Sequence, residues 1–128
     1  MERLVKGRER IFLDRFWNEF SADPKNFDEA SRVHSAALYA RPHAMHDGFE
    51  QLHAFDEDVI DNHDFLTHGP LTMPVLAIGG EKSFGPMMAV VAKAAFTNVQ
   101  GVIIAHAGQR VMQENPTDTA AAVVGFLQ

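Results

Sequence analysis

The chain has 128 residues, of which 46% are hydrophobic and 22% charged, with a formal net charge of -6 and no cysteine. That length suits one domain able to bury a core. The missing cysteines exclude disulfides and thiol-based nucleophiles or metal ligands. The acidic balance speaks against nucleic acid, whose phosphates need clustered Lys and Arg.

No apolar run approaches the roughly 20 residues that span a bilayer. The opening MERLVKGRER lacks the apolar stretch of a secretory signal. The expectation is a cytoplasmic protein with no membrane partner.

The first half reads as helices. Between Arg8 and Phe20, Ile11, Phe12, Phe16 and Phe20 fall on one helical face, with Trp17 beside them. Ser21-Ala22-Asp23-Pro24 ends that helix. Asn26 is a candidate cap for a second helix, with Asp28 and Glu29 in its first turn, ending near Arg41-Pro42. A third helix is expected over Ala44 to Phe55 and a shorter acidic one over Glu57 to Thr67, with Gly69-Pro70 closing this half.

The second half changes period. Pro74 to Ile78 is a short apolar run between a proline and Gly79-Gly80, and reads as a buried strand. Pro86 suits the first position of a helix that runs to about Phe96. Val99 to Ala105 is a second strand. Asn115-Pro116 opens a final helix to Phe126, with Asn as cap and Pro at its first position. Strand, helix, strand, helix implies a parallel βαβα unit. Two parallel strands make a poor sheet, because each keeps an open edge of unpaired backbone groups.

Four segments carry a resemblance in this same order. GRERIFLDRFWNEFSADP is similar to the first helix of a helical cap. YARPHAMHDGFEQLHAF resembles a cap motif of Pro-Gly, small, Met, Arg and then Gly-Phe-Glu. LTMPVLAIGGEKSFG resembles a seventh sheet strand and its following loop. NVQGVIIAHAGQRVMQENP resembles the eighth strand and the loop that carries a catalytic histidine. Together they resemble the α/β-hydrolase superfamily, in its epoxide hydrolase and haloacetate dehalogenase branch.

The resemblance implies a partial α/β-hydrolase fold in one domain, with a helical cap-like part over 1–69 and a βαβα C-terminal part over 70–128. It also implies that the family's first six strands have no counterpart here. The nucleophile elbow and its Ser or Asp lie in that part, and no G-x-S-x-G occurs in the chain.

The remaining positions depart from the family pattern. The resemblance puts Gln109 at the catalytic histidine, and an amide cannot take and return a proton as imidazole does. It puts Ser83 where the third triad member could stand, with Glu81 two residues away. No catalytic residue is therefore expected. His106, three residues before Gln109, is the one candidate for a displaced base, and would need a nucleophile within reach.

His43, His46 and His53 sit on one predicted helix, near His63, His68 and an acidic run from Asp56 to Asp64. No HExxH and no EF-hand pattern is present, so a solvated acidic face is expected rather than a metal site. GGEKS fails as a phosphate loop, because Glu81 stands where glycine should precede the lysine. Phe12, Phe16, Trp17, Tyr39 and Phe49, with Phe20, form an aromatic set that either packs in a core or interface or lines a pocket for a small apolar ligand. No cofactor is implied. The open edge of the Pro74–Ile78 strand predicts a homodimer whose two copies form a four-stranded sheet. The functional expectation is a non-catalytic, self-associating binding or scaffold protein. The alternative is a residual hydrolase of epoxides, haloacids or esters.

Overall fold

The computed structural model describes residues 2–128. The order of elements is α1 (Glu2–Val5), α2 (Glu9–Glu19), a 3-10 turn (Pro24–Asn26), α3 (Glu29–Tyr39), α4 (Ala44–His53), α5 (Phe55–Thr67), β1 (Leu71–Gly80), α6 (Met87–Ala95), β2 (Phe96–Ile104), α7 (Val111–Glu114) and α8 (Pro116–Leu127). They group into two compact units. The first takes the residues up to Trp17 together with Phe27–His68, and the second takes Asn18–Asn26 with Gly69–Gln128.

The first unit is helical. Gly7, at φ 76°, takes the left-handed turn that separates α1 from α2. Leu13 and Trp17, four residues apart on α2, turn inward and meet Phe27 to form the unit's buried cluster. The Trp17 and Phe27 rings stack at 6.4 Å. Arg32 of α3 lies over the indole at 5.4 Å, donates from Nη1 to Asp14 Oδ1 at 2.7 Å and from Nε to the Phe27 carbonyl at 2.9 Å. Arg10 forks onto both carboxylate oxygens of Glu29 at 2.7 and 2.8 Å and also reaches Asp14.

The cap of α3 corrects the sequence expectation. Asp28, not Asn26, is the N-cap, and its Oδ1 accepts from the Ser31 amide at 2.7 Å. Asn26 instead ends the 3-10 turn. Both residues can cap, and the turn decides which one faces the free amides. α4 is shorter than expected, and α5 starts at Phe55. His43 is not within α4 but precedes it as N-cap in left-handed backbone at φ 68°.

The second unit holds the sheet. β1 and β2 pair in parallel, with Val75 opposite Val99 and Gly80 opposite Ile104. Both strands extend beyond their apolar runs. Leu71 and Met73 are more than half exposed, and the register slips between Leu71 and Pro74, where proline lacks a ladder donor. Phe96 closes α6 and opens β2 with no intervening loop. At Gly101 of β2, an added Cβ would stand 2.7 Å from the Ala89 Cβ of α6. The expected start of the last helix holds: Asn115 caps α8, its Oδ1 accepting from the Asp118 amide at 3.2 Å, and Pro116 is the first residue. Pro86 stands just outside α6, as its N-cap. The fold class is thus a helical N-terminal half followed by a βαβα unit with a two-stranded parallel sheet.

Candidate functional site

In parallel α/β units, ligands gather beyond the carboxyl ends of the strands. Here β1 delivers Glu81 to Gly85 to that end, and β2 delivers Ala105 to Arg110. The two loops are tied by backbone bonds. The Glu81 amide donates to the Ile104 carbonyl and the Lys82 amide to the Ala107 carbonyl, each at 2.9 Å. Glycines make the approach possible. A Cβ on Gly80 would meet the Gly108 and Ala107 carbonyls, and one on Gly79 would meet the backbone of Gly85.

A cleft of about 450 Å³ opens at these loops. Its lining is Phe20, Ile78, Gly79, Gly80, Ser83, Phe84, Met88, Gly108 and Gln109. The structure therefore brings Gln109 and Ser83 to one lining, from loops 26 residues apart in sequence. Neither side chain is ionisable near neutral pH.

Glu81 and His106 meet separately. The backbone amide of His106 donates to Glu81 Oε2 at 2.9 Å. His106 sits in left-handed backbone at φ 55°, and the Asn115 side-chain amide holds the preceding Ala105 carbonyl at 3.0 Å. The His106 amide, followed by the nearby Lys82 ammonium, lowers the Glu81 carboxyl below its ordinary value. Glu81 is thus an ionised tie for the turn at His106. The contact uses the histidine's backbone and leaves its ring uninvolved.

Phe84 and Met88 line the cleft without an expectation from the sequence, and Phe20 is the one member of the aromatic set that lines it. Phe84 and Met88 follow directly from the loop after β1, and could have been found by following that loop. Phe20 could not, because it arrives from a distant segment. Its carbonyl accepts from the Gln109 amide at 2.9 Å. Gly108 permits this, since a Cβ there would strike Phe20 and Ser21 backbone. Glu114 secures the same segment, accepting from the Ala22 amide at 2.6 Å and the Arg110 amide at 3.2 Å.

The aromatic set divides. Phe12 meets Phe16 and Phe49 edge-on at 5.2 and 5.7 Å. Trp17 lies in the buried cluster at 2% exposure. Tyr39 lines a different cavity of about 320 Å³, with Glu2, Lys6, Arg41, His43 and His46 among its walls. There His43 and His46 stand edge to face at 6.4 Å, and His46 Nδ1 lies 3.3 Å from Glu2. That hydrogen bond raises His46 above its ordinary value. His53 pairs instead with Glu50 at 3.0 Å. Among the described residues no three His, Asp or Glu side chains gather as a metal would need.

The fold has close counterparts among solved structures. Cfl2 from Burkholderia cenocepacia matches 99% of this chain with a TM-score of 0.92 at 28% identity. The epoxide hydrolase CorEH matches 98% with a TM-score of 0.90 at 21% identity. This chain spans only 43% and 44% of those two chains. No family model matches the sequence, and no curated protein matches it. The chain therefore has the fold of part of an epoxide hydrolase. No helix of the described residues is long and apolar enough to cross a membrane.

Proposed function

We propose that this chain is a non-catalytic, self-associating binding protein built on the cap and the last two strands of an α/β-hydrolase fold. The carrying observation is the lining of the strand-end cleft. None of its nine residues is ionisable near neutral pH, and Gln109 and Ser83 stand where the resemblance requires a base and an acid. Removing members of a triad costs many decades of rate. The apolar walls, Phe20, Phe84 and Met88, suit a small apolar ligand.

Self-association is supported by the sheet. Among the described residues β1 pairs only with β2, which leaves its other edge to be covered. Two copies joined across that edge by a two-fold axis give four strands.

The test has two parts. Wild type and Gln109→His are incubated with an epoxide, a haloacid and an activated ester, and no turnover above buffer is expected from either. A histidine at 109 restores nothing if the nucleophile that the resemblance places in the first six strands is required, and turnover by Gln109→His alone would point to the Ser83 hydroxyl in the same cleft. Turnover that His106→Ala abolishes would favour the second reading, a residual hydrolase using the Glu81–His106 turn. Light scattering across a dilution series is expected to show a persistent dimer. A monomer at every concentration would defeat self-association.

A further inference from the structure

The densest charge on the chain lies on one helix of the first unit. α5 carries Asp56, Glu57, Asp58, Asp61 and Asp64 and no Lys or Arg, against a net charge of -6 for the whole protein. None of these five side chains makes an ion pair or side-chain hydrogen bond among the described residues. Every residue from 51 to 70 is exposed. Val59, Ile60 and Phe65 are each about 70% exposed (68, 70 and 69%). Around the helix Ile60 falls between Asp56 and Asp64, and Phe65 between Asp58 and Asp61, so bare apolar and acidic side chains are interleaved on its surface.

The same unit carries the complementary surface. α1, the turn after it and the start of α2 bear Arg3, Lys6 and Arg8, whose side chains make no ion pair among the described residues. Leu4 and Ile11 stand beside them, each 71% exposed. The same segment holds Glu2, which meets His46, and Glu9, which accepts from the Gly7 amide; three exposed cations and two bare aliphatic side chains are left to match an acidic helix with bare apolar residues among its carboxylates. Within one protomer the two surfaces do not pair.

We propose that α5 of one protomer docks on the α1–α2 surface of a second copy, with Arg3, Lys6 and Arg8 facing the α5 carboxylates and Ile11 against Val59. The arrangement is reciprocal: each copy gives one acidic helix and receives one. It covers Val59 and Ile11 and sets carboxylates of α5 against three cations. It is a second interface, separate from the β1 edge, and does not depend on the sheet pairing proposed above.

Salt separates the two. Charge pairing weakens as the Debye length falls from about 30 Å near 0.01 M salt to about 3 Å near 1 M. Backbone pairing and apolar burial at the β1 edge do not weaken this way. The molar mass of the full chain is therefore measured by sedimentation equilibrium at both salts. The expected result is a larger assembly at low salt that loses its α5 contact at high salt, leaving whatever the β1 edge holds. Two charge-reversed variants sharpen the test: Asp58→Lys with Asp61→Lys, and Arg3→Glu with Arg8→Glu. Each alone is expected to lose the salt-labile association, with helix content unchanged by circular dichroism. Mixed together, they are expected to bind each other at least about tenfold more tightly than either binds itself. An association with no salt dependence would overturn the proposal, as would a mixture that associates no better than its components. A wild type lacking the salt-labile step would also overturn it.

Discussion

Gly101 and Gly108 show how single missing side chains set the second unit. At Gly101 the helix α6 lies so close that a Cβ would stand 2.7 Å from Ala89. Gly101→Val is expected to destabilise the protein by about 1–3 kcal/mol, as overpacking does, read as a lower denaturant midpoint at an unchanged slope. Gly108 works differently. It lets the Phe20–Ala22 backbone lie against the loop, so it decides that Phe20 reaches the cleft at all. The identities of Gln109 and Ser83 were legible in the sequence, because residue type alone says that neither side chain is a free base or acid near neutral pH. Their convergence on one cleft was not. Nor was the use of Glu81 as a tie for the His106 backbone, since that contact depends on a left-handed turn no local pattern announces.

At the scale of elements, capping and burial decide which segments hold firm. Asn115 was readable as a cap because Pro116 follows it, and Asn115→Ala is expected to cost about 1 kcal/mol. The cap of α3 was not readable between two candidates. Asp28→Ala is expected to lower the midpoint of thermal unfolding while Asn26→Ala leaves it in place, because only Asp28 accepts from a helix amide. The strands were located by their apolar runs and underestimated in length. An apolar run marks the buried part of a strand, whereas Leu71 to Met73 are strand by pairing while facing solvent. α7 was missed because a four-residue helix carries too little period to detect. In the first unit the core rests on α2. Trp17→Ala is expected to cost about 3–5 kcal/mol, with loss of the cooperative unfolding transition of that unit by circular dichroism.

For the whole molecule, the charge network gives a pH dependence whose sign can be worked out. Burial pushes the Asp14 carboxyl up, but hydrogen bonds from Arg32 and Arg10 outweigh it and leave it lowered. Asp28 is lowered by the Ser31 amide, Glu29 by Arg10, and Glu81 by the His106 amide. A lowered carboxyl contributes stability above its unfolded value and loses it as pH falls through the folded one. Stability is therefore expected to decline as pH drops below about 4, where carboxyls protonate. His46 runs the other way. Its contribution is full below its ordinary 6.5 and fades as pH rises through its raised value. Proton NMR titration is expected to find the His46 value lowered by Glu2→Gln, and an unchanged value would remove the Glu2 contact.

The sequence by itself determined the order of the longer elements, the parallel βαβα unit and the absence of ionisable groups at Gln109 and Ser83. These follow from local period, cap and turn chemistry, and residue type, which do not depend on distant contacts. Only the tertiary structure decided that Phe20 joins the strand-end cleft, that Trp17 is core while Tyr39 lines another cavity, and that α5 and the α1–α2 surface both stand bare. Those outcomes depend on which segments far apart in the chain can approach, and approach is set by side chains such as those missing at Gly101 and Gly108.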